Sequence, residues 1–101
     1  MDLTNYLNKK VIIRAAEAGV FYGTLTAKEG NEVELQDCRR IWYWSGAASI
    51  SELAVHGTAK PNECKFAVVV PQIQIMGVIE IIPCTDEAQK SIEAVRVWRL
   101  S

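Results

Sequence analysis

An alternation of polar and apolar residues that begins at Glu32 and is strict over positions 32–36 constrains the fold of this chain most strongly. Val33 and Leu35 are apolar, and the residues on either side of each are Glu or Gln. That period of two is typical of a β-strand with one face in water. Short β-branched or aromatic runs, separated by glycine-containing turns, precede it. Residues 1–45 therefore predict a four-stranded antiparallel meander. Its strands are Lys9–Ala16, Val20–Lys28, Glu32–Cys38 and Arg39–Trp44.

The period changes after the meander. Ser49 and Glu52 have the spacing of a capping box, and Gly57 is a natural stop, so a short helix is predicted over Ser49–His56. Thr85 is placed to cap a second helix. The remaining predictions are a strand at Cys64–Val70 ended by Pro71, one or two strands over Gln72–Ile82 with a kink at Gly77, the helix Asp86–Ala94 and a closing strand at Val95–Arg99. Together they predict one mainly β (α+β) domain over residues 1–101, an antiparallel meander or a small partly open barrel with two short helices.

Composition excludes several classes of protein. The longest apolar stretch, Ile73–Pro83, is interrupted by polar residues and glycine, and it is shorter than the ~20 residues of a membrane span. Residues 1–10 lack the apolar core of an export signal, so we expect a cytoplasmic protein without a membrane partner. The three cysteines form no CxxC pair, which predicts reduced thiols and no metal site. A net charge of −1 makes extended nucleic acid an unfavourable partner.

Arginine and aromatic residues are concentrated between positions 39 and 44. In a regular strand Arg40, Trp42 and Trp44 share one face, and Ile41 and Tyr43 share the other. If the second set points inward with Val33 and Leu35, an arginine and two tryptophans point outward. Exposed Trp beside Arg suits a nucleobase, by stacking and cation–π contact. It equally suits a protein interface, and buried tryptophans with solvated arginines are a third possibility.

The residues that follow favour a phosphorylated ligand. Small residues at 45–48 lead into the predicted helix, whose free N–H groups and dipole favour an anion. The predicted ligand-binding residues are Arg39, Arg40, Trp42, Tyr43, Trp44, Ser45, Gly46 and Ser49. Arg96, Trp98 and Arg99 repeat the combination near the end of the chain; they either join this surface, in the same subunit or a neighbour, or form a closing strand with the arginines in water.

The sequence predicts no enzyme. His56 has no acidic or cysteine neighbour at catalytic spacing, and neither phosphate-binding glycine motif nor a G-x-S-x-G elbow is present. Glu80 interrupts an apolar strand, so it faces solvent or pairs with Arg14 or Arg96. We therefore predict no catalytic residue, no metal and no cofactor.

Two long stretches resemble a family of small proteins encoded by tailed bacteriophages, known mainly as a domain of unknown function. They are RRIWYWSGAASISELAVHG, from Arg39 to Gly57, and VIEIIPCTDEAQKSIEAVRVW, from Val78 to Trp98. The resemblance covers nearly the whole chain from Val11 onward. It implies expression in the cytoplasm of an infected bacterium and supplies no catalytic motif.

Several groups of small phage proteins form symmetric oligomers that capture nucleotide signals of bacterial immunity. The small size of this chain, its resemblance to phage proteins and its Arg/Trp segment lead us to expect a similar role. We expect a homo-oligomer that sequesters a nucleotide signal of the cyclic oligonucleotide or cyclic ADP-ribose type. The alternative is a phage interaction module, either a virion component or an inhibitor of a host protein. A hydrolase of the same signals and a small nucleic-acid-binding regulator agree less well with the single histidine and the acidic balance.

Overall fold

Three antiparallel strands form the first part of the computed structural model, which describes residues 6–100. They are β1 (Lys10–Ala15), β2 (Gly19–Glu29) and β3 (Glu32–Tyr43). Each pairs with the next along the chain, with Ile12 opposite Tyr22 and Leu25 opposite Leu35. The predicted meander therefore has three strands rather than four, because residues 32–38 and 39–43 are one continuous strand.

The second part of the chain adds two helices and three shorter strands. They are α1 (Ile50–His56), β4 (Lys65–Phe66), β5 (Val70–Ile75), β6 (Val78–Pro83) and α2 (Asp86–Ala94). Both predicted helix caps are confirmed: the Ser49 hydroxyl accepts from the Glu52 N–H, and the Thr85 hydroxyl accepts from the Ala88 N–H. Gly77, at φ 75°, makes the turn that divides the predicted Gln72–Ile82 segment into two strands.

The strands form one curled sheet in the order β4-β3-β2-β1-β6. β5 also pairs with β3, along residues 33–38, whereas β4 pairs with Ile41 and Tyr43. β5 pairs with β3, and β6 pairs with β1. Only residues 76 and 77 separate β5 from β6 in the chain. The sheet must therefore curl strongly, without closing, and the prediction of a β-rich α+β fold is confirmed.

The curled sheet has a core on each face. The inner core lies within the curl and contains Val11, Ile13, Phe21, Leu25, Val33, Leu35 and Cys38 among its members. The helix-side core lies between the outer face and the helices and includes Ile12, Tyr22, Ile41, Leu53, Phe66 and Ile92. Consecutive residues of β1 alternate between the two cores, which explains why Val11, Ile12 and Ile13 are all fully buried.

A β-bulge in β3 decides which residues face which core. Tyr22 lies opposite Arg39 and Thr24 opposite Gln36, so two residues, Asp37 and Cys38, face Gly23 alone. Asp37 has φ 50°, a left-handed conformation that Asp tolerates better than most residues. The extra residue reverses the alternation, so Ile41 packs in the helix-side core and not with Val33 and Leu35. Of the arrangements that the sequence left open, the one in which all three share a face is therefore not the one that the structure has.

Gly23 allows the bulge to form. A Cβ at this position would lie 3.1 Å from both Cys38 Cα and Gln36 O, which are backbone atoms and cannot easily move. Pro71 faces the same irregular region, since it lies between the pairs Gln36–Gln72 and Cys38–Val70. A proline lacks the N–H for a ladder hydrogen bond, and bulges are among the places where strands tolerate one. Pro71 thus lies inside β5, contrary to its predicted role as a strand end.

Two further strand predictions need correction. The predicted strand Cys64–Val70 is regular only over the two residues of β4. The predicted closing strand Val95–Arg99 is reduced to one parallel bridge between Val97 and Phe66, because β4 is too short to pair with a longer segment. Within residues 6–100, no helix is long and apolar enough to cross a membrane. Cys38, Cys64 and Cys84 are free thiols.

Candidate functional site

Arg39 is buried in the helix-side half of the molecule, with 3 % of its surface exposed. Its Nε donates to Ala67 O (3.1 Å), and Nη2 donates to Phe66 O (3.2 Å). Nη1 donates to Ile92 O (3.0 Å) and to Val95 O (2.7 Å), near the end of α2. Burial lowers the pKa of the guanidinium from its usual value. The Arg39 side chain therefore joins the segment after β4 to the end of α2, and it does not face solvent.

Arg40 lies on the opposite face of β3 and is exposed. Its guanidinium carbon is 4.5 Å from the centre of the Phe21 ring, and Nη1 donates to Ala18 O at 2.8 Å. The structure thus does not bring the two adjacent arginines to one ligand.

Trp44 also departs from the predicted face. It is half-buried and packs against the helix-side core that contains Ile41, so it does not share a face with Arg40. The reason is a second irregularity, between Ile41 and Tyr43, where β3 pairs with β4. Trp44 therefore anchors the start of the following turn and is not an exposed stacking surface.

The turn at residues 45–49 is occupied by the protein's own groups. The Glu52 carboxylate accepts from the Ala48 N–H at 2.7 Å, and the Glu52 N–H donates to Ser49 Oγ at 3.1 Å. Ser45 O accepts from the Thr58 hydroxyl, and Gly46 O accepts from the Ala59 N–H. A carboxylate at the start of α1 repels an incoming anion, so the candidate site does not include Ser45, Gly46 and Ser49.

Trp42 and Tyr43, by contrast, lie together on the surface. They are 65 % and 51 % exposed, although they are neighbours on one strand. The irregular pairing with β4 allows this, because at a bulge the side chains no longer alternate strictly. The Trp42 ring stacks on Trp98 with centres 6.4 Å apart and planes 10° apart. We call these two side chains the Trp42–Trp98 stack.

Lys65 on β4 connects Tyr43 with the stack. Its Nζ lies 6.0 Å from the centre of the Tyr43 ring and 5.5 Å from that of Trp98. The neighbours of Lys65 in the chain, Cys64 and Phe66, are both buried, so its side chain points outward. The alternation of buried and exposed residues around Lys65 is the signal in the sequence for its outward position, and Lys65 is not among the predicted ligand-binding residues.

Tyr43 and Trp98 border a groove of about 840 Å³, which we call the Trp98 groove. Its charged lining is three cations, Lys65, Arg96 and Arg99, and one carboxylate, Glu63. Its full lining is Tyr43, Pro61, Asn62, Glu63, Cys64, Lys65, Arg96, Val97, Trp98 and Arg99. The Trp98 groove therefore combines aromatic surface with an excess of positive charge, although the whole chain has a net charge of −1.

Arg39 fixes the two walls of this groove relative to each other. Phe66 O accepts both from Arg39 Nη2 (3.2 Å) and from the Trp98 N–H (2.9 Å). The Arg39 acceptors Phe66 and Val95 directly adjoin Lys65 and Arg96 in the chain. Because those bonds join both walls, Arg39 holds the two walls in position from the buried side of the groove.

A second polar cluster lies where β1, β2 and α2 meet. The Glu93 carboxylate accepts from the Tyr22 hydroxyl and from Lys10 Nζ, both at 2.5 Å. Burial opposes ionisation of Glu93, but the hydrogen bonds from Lys10 and Tyr22 hold the pKa of its carboxyl below the usual value. Burial and the neighbouring Glu93 raise the pKa of Tyr22. This cluster attaches α2 to the sheet.

The remaining candidate residues lie on other parts of the surface. His56 is exposed, and its Nδ1 is 3.3 Å from a Glu87 carboxylate oxygen. Of the pairings expected for Glu80, the structure has the one with Arg14, at 2.8 Å. Within the described part of the chain, no group of three or more His, Cys, Asp and Glu residues is arranged to hold a metal ion.

One family model matches the chain over residues 8–92, which spans all six strands and most of α2. Its description is "Domain of unknown function (DUF6948)". The matched segment ends before Arg96, Trp98 and Arg99, so it covers Tyr43 and Lys65 but not the opposite wall of the Trp98 groove. No curated protein matches the chain.

Proposed function

We propose that this chain, which belongs to the DUF6948 family, is a non-enzymatic binding protein that holds a small phosphorylated nucleotide in the Trp98 groove. The observation that carries the proposal is the placement of exposed aromatic rings and three cations around one concave surface. Aromatic rings stack on nucleobases of any sequence, and Lys and Arg bind phosphate.

The local charge supports a small anion over a long one. Lys65, Arg96 and Arg99 give the groove its positive charge, whereas the chain as a whole is slightly acidic. A long polyanion needs an extended basic surface, but a nucleotide needs only a few cations around its phosphate. The volume of about 840 Å³ is within the range of small-molecule sites.

For the biological setting we propose a phage protein in the cytoplasm of the infected host. There it would sequester a nucleotide immune signal of the cyclic oligonucleotide or cyclic ADP-ribose type and so counter anti-phage defence. The resemblance to small phage proteins supports this setting. An open groove on a chain of 101 residues supports a homo-oligomer, because a second copy can cover the exposed side of a bound ligand.

Calorimetric titration against 5′-AMP, cyclic dinucleotides and cyclic ADP-ribose isomers tests the binding. We expect at least one ligand to bind, and Trp98→Ala and Lys65→Ala each to weaken it about tenfold or more. Lys90→Ala is the matched control, because Lys90 is exposed on α2 and its removal changes the net charge equally. Folded protein that binds none of these ligands contradicts the proposal. Degraded ligand recovered after denaturation would contradict the non-enzymatic part.

One observation favours a second candidate, an interface for a virion component or a host protein. Trp42 is 65 % exposed and does not line the Trp98 groove, and exposed Trp and Tyr beside Arg are typical anchors of protein interfaces. Under this alternative, Trp42→Ala abolishes capture of the partner protein, while the titrations with nucleotides show no heat of binding.

A further inference from the structure

We propose that the Trp98 groove is built for a ligand with two nucleobases joined through a phosphate, and not for a mononucleotide. The inference rests on the proposed function and narrows its ligand class. It is carried by the position of one cation, Lys65, whose ammonium lies near two aromatic rings that line the groove, those of Tyr43 and Trp98.

The two aromatic surfaces are Tyr43 and the Trp42–Trp98 stack. Lys65 Nζ lies 6.0 Å from the Tyr43 ring centre and 5.5 Å from the Trp98 ring centre, so it is nearly equidistant from both. Tyr43 is 51 % and Trp98 is 48 % exposed, which leaves aromatic surface on each side for a base. A mononucleotide engages one of these surfaces and leaves the other in water.

A linear dinucleotide has a matching arrangement of groups. Its single phosphodiester lies between two bases, each connected through one sugar; a cyclic dinucleotide has two such phosphodiesters. With the phosphate at the Lys65 ammonium, one base is directed towards Tyr43 and the other towards Trp98. Arg96 and Arg99, which line the same groove, neutralise further phosphate oxygens. Each base that stacks contributes independently, so the second aromatic surface increases affinity only for a two-base ligand.

The test compares 5′-AMP with linear diadenosine monophosphate (ApA) and with cyclic di-AMP by calorimetry at one salt concentration. ApA carries less negative charge than 5′-AMP, so simple charge attraction favours 5′-AMP. We expect at least one of the two-base ligands to bind about tenfold or more tightly than 5′-AMP. ApA and cyclic di-AMP both have two bases joined through phosphate. Their relative affinities show whether the groove prefers a linear or a cyclic dinucleotide.

Tyr43→Ala supplies a second measurement. It should weaken the preferred two-base ligand about tenfold and change the affinity for 5′-AMP by less than about threefold. Ile79→Ala, an exposed apolar residue on β6, is the control and should change neither. Equal affinities for 5′-AMP and the two-base ligands would overturn this inference and leave the proposed function intact. Hexa-adenylate binding more than about tenfold tighter than ApA would also overturn it, by indicating a strand-binding groove. Absence of binding by all ligands would overturn both proposals.

Discussion

Arg39 and Arg40 show how differently two adjacent identical residues act in this chain. Arg39 donates to four backbone carbonyls in a buried site, whereas Arg40 lies over Phe21 at the surface. A buried carbonyl that loses its donor has a large desolvation cost, but an exposed group is solvated by water instead. The Arg-Arg pair is therefore not one functional unit.

Replacing each arginine by methionine separates the two roles. We expect Arg39→Met to lower the free energy of unfolding by about 3 kcal/mol or more, because it removes all four hydrogen bonds that the guanidinium donates to backbone carbonyls. Arg40→Met should lower it by about 1 kcal/mol or less. Urea denaturation followed by circular dichroism measures both values. Equal losses for the two variants would mean that the Arg39 hydrogen bonds do not carry the difference.

At the scale of the element, the bulge at Asp37 determines the faces of β3. Deletion of Asp37 alone removes only the extra residue, so Cys38 stays on the inner face and Arg39 and Ile41 stay on the helix-side face. Deletion of Asp37 and Cys38 together would instead turn Arg39 and Ile41 to the inner face. We therefore expect the double deletion not to fold, as judged by loss of a cooperative thermal transition, whereas the single deletion should keep that transition. Asp37→Gly is the matched control, because it keeps the residue count and the left-handed conformation; its stability should remain within about 1 kcal/mol of the parent. A folded double-deletion variant would contradict this role of the bulge.

Sequence periodicity predicts the existence of these elements better than their faces. The alternation at Val33 and Leu35 and the caps at Ser49 and Thr85 are local signals, and the structure contains the predicted strand and both helices. The bulge depends on contacts between strands, since Asp37 is irregular only because Gly23 lets β2 approach closely. A pattern read along one strand does not contain that information. For this reason the sequence could not decide whether Ile41 shares a face with Leu35.

At the scale of the whole molecule, buried thiols make stability depend on alkaline pH. Burial raises the pKa of Cys38 from 9.0 to about 12 and, together with Glu93, raises that of Cys84 from 9.0 to about 12. The unfolded chain therefore loses these protons at lower pH than the folded chain. The resulting stabilisation is complete below pH 9 and is lost as the pH rises towards 12.

Urea midpoints measured between pH 8 and pH 11 test this dependence. We expect Cys38→Ala to reduce the downward slope of unfolding free energy by up to about 1.4 kcal/mol per pH unit above pH 9. Ile13→Val removes one methyl group from the same inner core without removing a titratable group. That control should lower stability equally at every pH. A Cys38→Ala slope equal to that of the parent would contradict the assignment.

The candidate site was only partly predictable at this scale. Trp42 and Tyr43 belong to the Arg/aromatic segment of the sequence, and Trp98 is one of the residues that the sequence allowed either to join that surface or to lie in a closing strand. Lys65 comes to them from a two-residue strand whose pairing with Tyr43 is a tertiary property. The helix start at Ser49 has a local sequence that suits an anion, but the Glu52 carboxylate already accepts a hydrogen bond from the Ala48 N–H. Local sequence cannot tell a vacant donor from an occupied one.

The Trp42–Trp98 stack has an optical consequence. Two indoles with ring centres 6.4 Å apart are close enough for their electronic transitions to couple, so neither absorbs as an isolated chromophore. The backbone N–H of Trp98 donates to Phe66 O, and Arg39 donates to the same carbonyl. This hydrogen bond helps to hold Trp98 beside Trp42. The exciton signal of the pair in circular dichroism therefore reports whether the residues around Trp98 are packed against the sheet, and no attached label is needed.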